Sequence, residues 1–291
     1  RRGRQAARRS LRAPHRRPHS MMNADGSQDS RARRSLRFTW LAAWQVLTQA
    51  VNITTGILIT RLLPKQEFAW LAIGNSAVAS FSTLTEGGGG LGIQSLGTRL
   101  WQDAPRFRSL LATALAFRWK LCLLAALASL PLPLWLLLRN HASFGTSALL
   151  LAACALGFPA ILGAGILGAA LKLQGRFREA LGTDLLAAVA RLLLVGAAAA
   201  ALWLDAITAA LIASLMFVMQ NRLLWRSAGS LVHDPAGISR EHQEGLNRQL
   251  RALLPNGLFQ ILQGHLCVWL LSFTTNVSTV ADYSALNRLG S

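Results

Sequence analysis

Charged residues are scarce in this chain of 291 residues, and acidic residues are the scarcest of them. Only 14% of the sequence is charged, with 12 acidic residues against 30 lysines and arginines, while 52% is hydrophobic. An ordinary soluble domain of this length carries more charge and fewer apolar residues. The composition therefore argues against a water-soluble protein and favours one that lies in a membrane.

Residue types that bind metals and cofactors are also sparse. Cys122, Cys154 and Cys267 all lie in apolar stretches without CxxC spacing, which is typical of small buried hydrophobic residues. His265 has no second histidine at ligand spacing, and the glycine run 87–90 lacks the GK[ST] sequence of a phosphate-binding loop. We therefore predict neither a metal site nor a cofactor, and we expect His265 to be a packed membrane histidine.

Long apolar runs make up most of the chain. Six of them contain no charged residue, and a seventh, residues 185–204, is interrupted only by Arg191. A helix needs roughly 20 apolar residues to cross the hydrocarbon core, and it satisfies its own backbone hydrogen bonds in lipid. The first run has no signal-peptide cleavage site, so we expect it to stay in the membrane. We predict an all-α polytopic membrane protein, with its other spans at residues 38–60, 68–85, 121–138, 142–171, 206–221 and 252–281.

Charge and loop length divide the chain into four predicted parts. Residues 1–37 hold 12 of the 30 basic residues and are expected to form a disordered cytoplasmic tail, with 1–20 as an upstream extension because two methionines follow. A solvated tail is expected, with attraction to anionic membrane lipid as the alternative and no nucleic-acid partner. A six-helix bundle is predicted over 38–226, a cytoplasmic linker over 227–248, and the seventh helix with the start of an eighth over 249–291.

The basic residues outside the tail predict the orientation of the spans. With the N-terminus in the cytoplasm, thirteen lysines and arginines fall in the inner connections and four in the outer ones. That bias has the sign of the positive-inside rule. In the long inner connection, residues 240–254 are charged and then apolar, which predicts an amphipathic helix at the inner interface.

Two spans carry polar stripes with matching spacing. An amide stripe on a membrane helix must face protein or water, although hydrogen bonding that only joins helices is an alternative explanation. The second stripe follows the first by 211 residues, which predicts that span seven begins a second copy of the bundle. The chain would then be a fragment of a protein with 12 to 14 helices. The stripes consist of Gln45, Gln49 and Asn52 in span one, and of Asn256, Gln260 and Gln263 in span seven.

Several short sequences resemble a known family. They are ITRLLP at residues 59–64, QEFAW at 66–70, TEGGGGLG at 85–92, LLPNG at 253–257, WLLS at 269–272 and ADYSAL at 281–286. Together they resemble the bacterial polysaccharide-biosynthesis membrane proteins, the O-antigen and exopolysaccharide flippases of the multidrug/oligosaccharidyl-lipid/polysaccharide flippase superfamily. The chain departs from the family in having Ala69 where a glycine is usual and in its longer glycine run.

The resemblance implies two six-helix bundles, inverted or pseudo-symmetric, that flank a cavity and work by alternating access. The implied substrate is an undecaprenyl-pyrophosphate-linked oligosaccharide, moved from the inner to the outer leaflet of the bacterial inner membrane. Polysaccharide polymerase and chain-length proteins are implied as partners in that membrane. Basic cavity residues of the family attend the pyrophosphate, but no position of this sequence matches them one by one.

Three charged residues stand out as candidate site residues. Arg191 lies near mid-span, where a charge is costly, and its planar guanidinium suits a pyrophosphate; an ion pair with Glu86 or Asp184 is the structural alternative. Glu86 is a candidate coupling carboxylate, or a partner of Arg99 at the cytoplasmic mouth. Arg61 is a further candidate for coupling or gating. The basic residues beside Trp119 are expected to be anchors that reach the interface.

Three classes of function follow from these observations. The first is a lipid-linked oligosaccharide flippase. The second is a cation-coupled multidrug exporter of the same superfamily, which is disfavoured because span one contains no acid. The third is a polytopic polysaccharide polymerase or ligase, which needs a large outer loop with acid–base groups, whereas the outer connections here are short. We expect a transporter and not an enzyme.

Overall fold

The computed structural model of the chain is built almost entirely of helices. It describes residues 24–88, 90–232 and 239–274, together with residues 279 and 283, and no strand occurs among them. The helices of this described part are α1 (Ala24–Leu62), α2 (Lys65–Gly88), α3 (Gly90–Leu100), α4 (Ala104–Ser129), α5 (Pro131–Arg139), α6 (Phe144–Leu156), α7 (Phe158–Leu173), α8 (Phe177–Ala200), α9 (Ala206–Ser227), α10 (Gly229–Val232) and α11 (Arg240–Thr274).

Four helical segments of the described part are long and apolar enough to cross a membrane. They are Ala104–Arg139, Phe144–Leu173, Phe177–Ala200 and Ala206–Ser227, and each contains or overlaps a predicted span. The all-α membrane class is thus confirmed. The other three predicted spans fall in α1, α2 and α11, which are long enough but less apolar because they carry amides and hydroxyls. Seven crossings remain a prediction.

Helix α2 occupies the centre of the described bundle. It contacts α3, α4, α5, α6, α7, α9 and α11, and it contributes to both apolar clusters of the core. Two of its buried hydroxyls donate to carbonyls of the same helix: Thr85 to the Phe81 carbonyl at 2.9 Å, and Ser76 to the Ile73 carbonyl at 2.7 Å. Protein surrounds this helix, so it can be less apolar than helices that face lipid.

Proline and glycine interrupt two of the long segments. Pro131 occupies the first turn of α5, directly after Leu130 ends α4, because its ring has no N–H to continue the helical hydrogen bonds. Gly157 ends α6 and caps α7, with Pro159 in the first turn of α7. Each long segment therefore consists of two helices that can differ in direction.

Side-chain hydrogen bonds join several helices at one end of the bundle, which we call the Asn140 end. The Asn140 carbonyl accepts a hydrogen bond from Trp70 Nε1 at 3.2 Å, and its side-chain amide donates to Ser272 Oγ at 2.9 Å. Glu67 Oε2 accepts from the Ala206 backbone N–H at 3.2 Å, and Arg139 Nη2 donates to a backbone carbonyl of α11 at 2.9 Å. All these positions belong to ends that the charge pattern assigns to one side.

At the opposite end of the bundle, which we call the Lys172 end, other helices contact one another. Gly97 of α3 lies against Leu173 at the end of α7, and the Ser239 backbone N–H donates to Thr113 Oγ1 at 3.1 Å. These contacts join segments that the charge pattern assigns to one side, and the alternation of the spans across a membrane remains a prediction. Which end faces the cytoplasm remains a prediction.

Two helices have bounds that differ from the predicted ones. Helix α1 begins at Ala24, fourteen residues before the predicted start of span one, so part of the predicted tail is helical. Helix α11 runs unbroken from Arg240 to Thr274 through Pro255, so the predicted interface helix and the seventh span are one helix. A membrane-type helix tolerates such a proline when neighbouring groups satisfy the freed carbonyl. The predicted eighth helix lies outside the described residues, apart from residue 283, and so do residues 275–278, 280 and 281 of the predicted seventh span.

By its contacts the chain forms two compact units, residues 1–43 and 44–291. The described part of the first unit is the beginning of α1, and the cavities described below belong to the second.

Candidate functional site

Three cavities follow one another between the helices of the second unit. We name them after one lining residue each: the Lys172 cavity of about 390 Å³, the Arg191 cavity of about 320 Å³ and the Asn75 cavity of about 140 Å³. Pockets that hold small ligands span about 300–1,000 Å³, so the two larger cavities reach the lower end of that range.

Polar side chains line all three cavities inside an otherwise apolar bundle. The Lys172 cavity is lined by Gln94, Lys172, Asp184 and Gln220. The Arg191 cavity is lined by Thr48, Asn52, Asp184, Arg191 and Gln220. The Asn75 cavity is lined by Asn75, Cys154, Arg191 and Ser214. Polar groups inside a membrane bundle are costly and usually serve a function.

Shared lining residues make the cavities a segmented path. Asp184 and Gln220 line the first two cavities, Arg191 and Ala213 line the last two, and Phe217 lines all three. Along α8 the lining runs from residue 180 to residue 191, about 16 Å at 1.5 Å per residue. That is about half of the 30 Å hydrocarbon core, so the path extends from near the Lys172 end to about mid-depth.

Alanines on two helices leave the space for this path. The lining positions of α9 include Ala210, Ala213, Phe217, Gln220 and Leu224, which repeat every three or four residues and so share one helix face. The lining positions of α8 include Ala180, before Asp184, and Ala187 and Ala188, between Asp184 and Arg191. Small side chains opposite one another keep α8 and α9 in contact but leave volume between the larger ones.

The charges in the path are ordered along its length. Gln220 Nε2 donates a hydrogen bond of 2.6 Å to Asp184 Oδ1, and Lys172 lines the same cavity as this carboxylate. Arg191 stands two helical turns further along α8. The lining residues described here thus carry two positive charges and one negative charge. This arrangement can bind an anion at Arg191 or a cation at Asp184.

Of the predicted site residues, the structure brings Asn52 and Arg191 together in one cavity. Gln45 and Gln49 lie on an adjoining, exposed strip of α1 and line none of the three cavities. Asn52 is exposed as well, although it lines the cavity, whereas Thr55, three residues further along α1, is buried.

The structure does not join the second amide stripe to the first. Asn256, Gln260 and Gln263 are exposed on α11. This helix presents Gly257 and Ile261 to the bundle instead, with Gly257 lying against the Thr83 carbonyl of α2. Helical spacing predicted correctly that the amides share a face, but that face is not the one in contact with α2.

Arg61 and Glu86 were the remaining predicted site residues. Arg61 is exposed in the last turn of α1, just before α2 begins. Glu86 is in the last turns of α2, at the other end of that helix, and its side chain lies outside the described part of the structure, as does that of His265. The structure therefore does not place Arg61 or Glu86 among the described cavity residues.

Arg118, which was predicted to be an anchor that reaches the interface, is half-buried. Its Nε and Nη1 atoms are buried, and its guanidinium lies 5.4 Å from the Trp119 ring and 5.8 Å from the Trp225 ring. Gly163 makes this position possible, because a Cβ there would meet Asn221 Oδ1 at 2.5 Å and Arg118 Nη1 at 3.0 Å. Lys120, by contrast, is exposed as an anchor should be.

Several polar cavity residues were not identified from the sequence. Lys172 looked like an ordinary positive residue at a span end, and Asn75 and Gln220 were single amides without a visible stripe. Asp184 was considered only as an ion partner of Arg191. The separation of seven residues between Asp184 and Arg191, which places both on one face of α8, was the available signal.

Among the described residues, no group of three histidine, cysteine, aspartate or glutamate side chains is placed to hold a metal ion. Comparisons with protein-family models, with curated proteins and with solved structures find no match to this chain.

Proposed function

We propose that this chain is part of a flippase that moves an undecaprenyl-pyrophosphate-linked oligosaccharide across the bacterial inner membrane. The observation that carries the proposal is the polar path that contains Arg191, inside a bundle of helices long enough to span a membrane. The protein would act as a transporter by alternating access and not as an enzyme.

Arg191 supports the proposal by its position. It is fourteen residues into the 24-residue α8 and half-buried. An arginine at that depth costs about 2.5–3.5 kcal/mol on insertion scales, so retaining one suggests a use for its charge. A guanidinium donates two parallel hydrogen bonds to a phosphate, and Lys172 supplies a second positive charge nearer the mouth of the path.

The cavity volumes indicate which part of the substrate enters. A pyrophosphate fits a space of about 320 Å³, whereas an oligosaccharide of several sugars does not. We propose that the anionic headgroup enters the path and that the glycan lies outside it. The exposed amides of α1 and α11, such as Gln49 and Gln260, would then face the glycan across the cavity of the complete protein.

The proposed setting follows the charge pattern. The Lys172 end would face the cytoplasm and the Asn140 end the periplasm, with the N-terminus inside. The seven helices would belong to a transporter of 12 to 14 helices, with a second bundle beginning at α11. Polysaccharide polymerase and chain-length proteins would be partners in the same membrane.

The test is complementation of a bacterium that lacks its own O-antigen flippase. Cells expressing the complete protein should recover surface polysaccharide on an immunoblot, and Arg191→Ala should abolish the recovery. Arg222→Ala is the matched control, because Arg222 is exposed on α9 and lines none of the three cavities. Full recovery with Arg191→Ala, at equal protein in the membrane, would contradict the role of Arg191.

Asp184 favours a second candidate function, a cation-coupled exporter of small molecules. The sequence argument against an exporter was that span one has no acid, but the structure places the carboxylate of α8 in the path. Raised drug tolerance that Asp184→Asn abolishes, without any surface glycan, would support the exporter. Surface glycan without drug tolerance would support the flippase.

A further inference from the structure

One aromatic side chain borders every segment of the path. Phe217 lines the Lys172, Arg191 and Asn75 cavities, and among the lining residues of these three cavities it alone does so. The three cavities are separate volumes although their linings overlap around this residue. The Phe217 side chain therefore lies where a continuous channel would pass.

Phe217 differs from the aromatic residues of the core. Phe81 and Phe158 are 0% and 1% exposed, and their rings stack with centroids 3.9 Å apart. Phe217 is only half-buried, because empty volume borders it on several sides. A ring next to empty volume can change its side-chain torsions without displacing close-packed neighbours, whereas a stacked core ring cannot.

The neighbouring backbone leaves room for one edge of the ring. A Cβ on Gly157 would lie 3.4 Å from Phe217 Cδ2, so the ring rests against a glycine at the junction of α6 and α7. On the same helix, Ser214 Oγ donates to the Ala153 carbonyl at 2.6 Å, which ties α9 to α6 one turn away. The backbone around the ring is thus held, and the ring is the movable part.

We propose that Phe217 is a gate on the path, whose ring closes the Asn75 cavity off from the two larger cavities. The identity of the substrate in this inference rests on the proposed function. For a lipid-linked substrate, the gate would set how far the phosphate headgroup advances beyond Arg191. Movement of the ring opens the last segment, and the return of the ring closes it. The gate itself is a steric property of the chain and can be tested without substrate.

A native thiol reports on the closed segment. Cys154 lines the Asn75 cavity and is 3% exposed. Replacing Cys122 and Cys267 by alanine leaves Cys154 as the single thiol of the chain. In membranes containing the complete protein with this thiol, N-ethylmaleimide added from the aqueous phase can reach Cys154 through the path only when the ring does not block it.

The experiment measures the rate of Cys154 labelling by N-ethylmaleimide in three variants. Phe217→Ala should raise the rate about tenfold or more, because labelling would no longer wait for a local opening. Phe217→Leu should give a smaller rise and serves if the alanine variant does not insert. Ile161→Ala is the matched control: it enlarges the Lys172 cavity without bordering the Asn75 cavity, and its rate should stay near that of the parent.

Two results would overturn the gate: no rise with Phe217→Ala or Phe217→Leu, or an equal rise with Ile161→Ala, which would indicate general loosening. Surface glycan is scored in the same strains. A labelling rise with Phe217→Ala, in strains where even the parent moves no glycan, would retain the gate and refute the proposed function. Restored glycan without a labelling rise would retain the flippase and refute the gate.

Discussion

The two ends of the bundle are built differently. At the Asn140 end, side chains hydrogen-bond across helices, as Asn140 does to Ser272 and Trp70 to the Asn140 carbonyl. Toward the Lys172 end, alanines and glycines leave the cavities between α7, α8 and α9. In the described bundle, hydrogen bonds therefore join the helices at the Asn140 end, which we call the tied end, whereas cavities separate them toward the Lys172 end. A path that begins near one end and stops at mid-depth is what a transporter open to one side requires.

The largest effect is expected at the tied end, from Asn140→Ala. Asn140 is 5% exposed, and its side chain donates to Ser272 Oγ and to the Leu136 carbonyl. Removing it leaves buried groups without these bonds, which costs about 2–3 kcal/mol of folding free energy. A thermal unfolding scan in detergent should show a clearly lower midpoint. The exposed Gln66→Ala at the same end should leave the midpoint unchanged; equal midpoints for the two variants would show that this end is not tied.

Substitutions of two glycines in α7 allow a packed face and a cavity face of the same helix to be compared. Gly163→Ala should destabilise by about 1–3 kcal/mol, because its Cβ would press on Asn221 and Arg118. Gly165→Ala, which has no atom within 4 Å of its Cβ position and lines the Lys172 cavity, should be neutral or stabilise by up to about 1 kcal/mol. Chemical denaturation of both variants measures the difference. The same cost for both would mean that the cavity face is packed.

Gln220→Leu tests the polar lining of the path. It removes the 2.6 Å hydrogen bond to Asp184, and a hydrogen bond to a charged group contributes about 1.5–3 kcal/mol when it is shielded from water. Because both residues border a cavity, we expect Gln220→Leu to lower the free energy of unfolding by only about 1 kcal/mol. We also expect a marked loss of transport. Leu223→Ala on the same helix lines none of the three cavities and should keep transport. Unchanged transport by Gln220→Leu would show that the polar lining at Gln220 is not needed for transport.

The smallest effect is expected from Asp205→Ala at the start of α9. Asp205 Oδ1 accepts a hydrogen bond from the Thr208 backbone N–H at 2.6 Å and so caps the helix near the tied end. Loss of such a cap costs about 1 kcal/mol, and Asp205→Asn should recover most of it because an amide oxygen caps as well. A thermal scan of the two variants distinguishes capping from a role for the charge, since a charge role would make them equally unstable.

The sequence predicted the helical class and the position of Arg191 inside the bundle. It predicted the path poorly. Lys172 looked like an orientation signal, and Phe217 looked like one more apolar residue, because neither spacing nor composition shows which side chains border empty space. The amides of α11 were correctly predicted to share one helix face. Periodicity shows which residues share a face, but it does not show which helix that face contacts. Pro255 inside α11 shows the same limit, since tertiary context decides whether a proline ends a helix.

The most direct test of the account asks from which side the path opens. Gly168 lines the Lys172 cavity, and no atom lies within 4 Å of its Cβ position, so Gly168→Cys should be accommodated. The variant is made in a background without other cysteines. Inverted vesicles and, separately, spheroplasts that contain it are treated with a membrane-impermeant maleimide. The account predicts labelling in inverted vesicles and little in spheroplasts. Labelling only in spheroplasts would contradict the orientation, and no labelling from either side would contradict a path that opens to water.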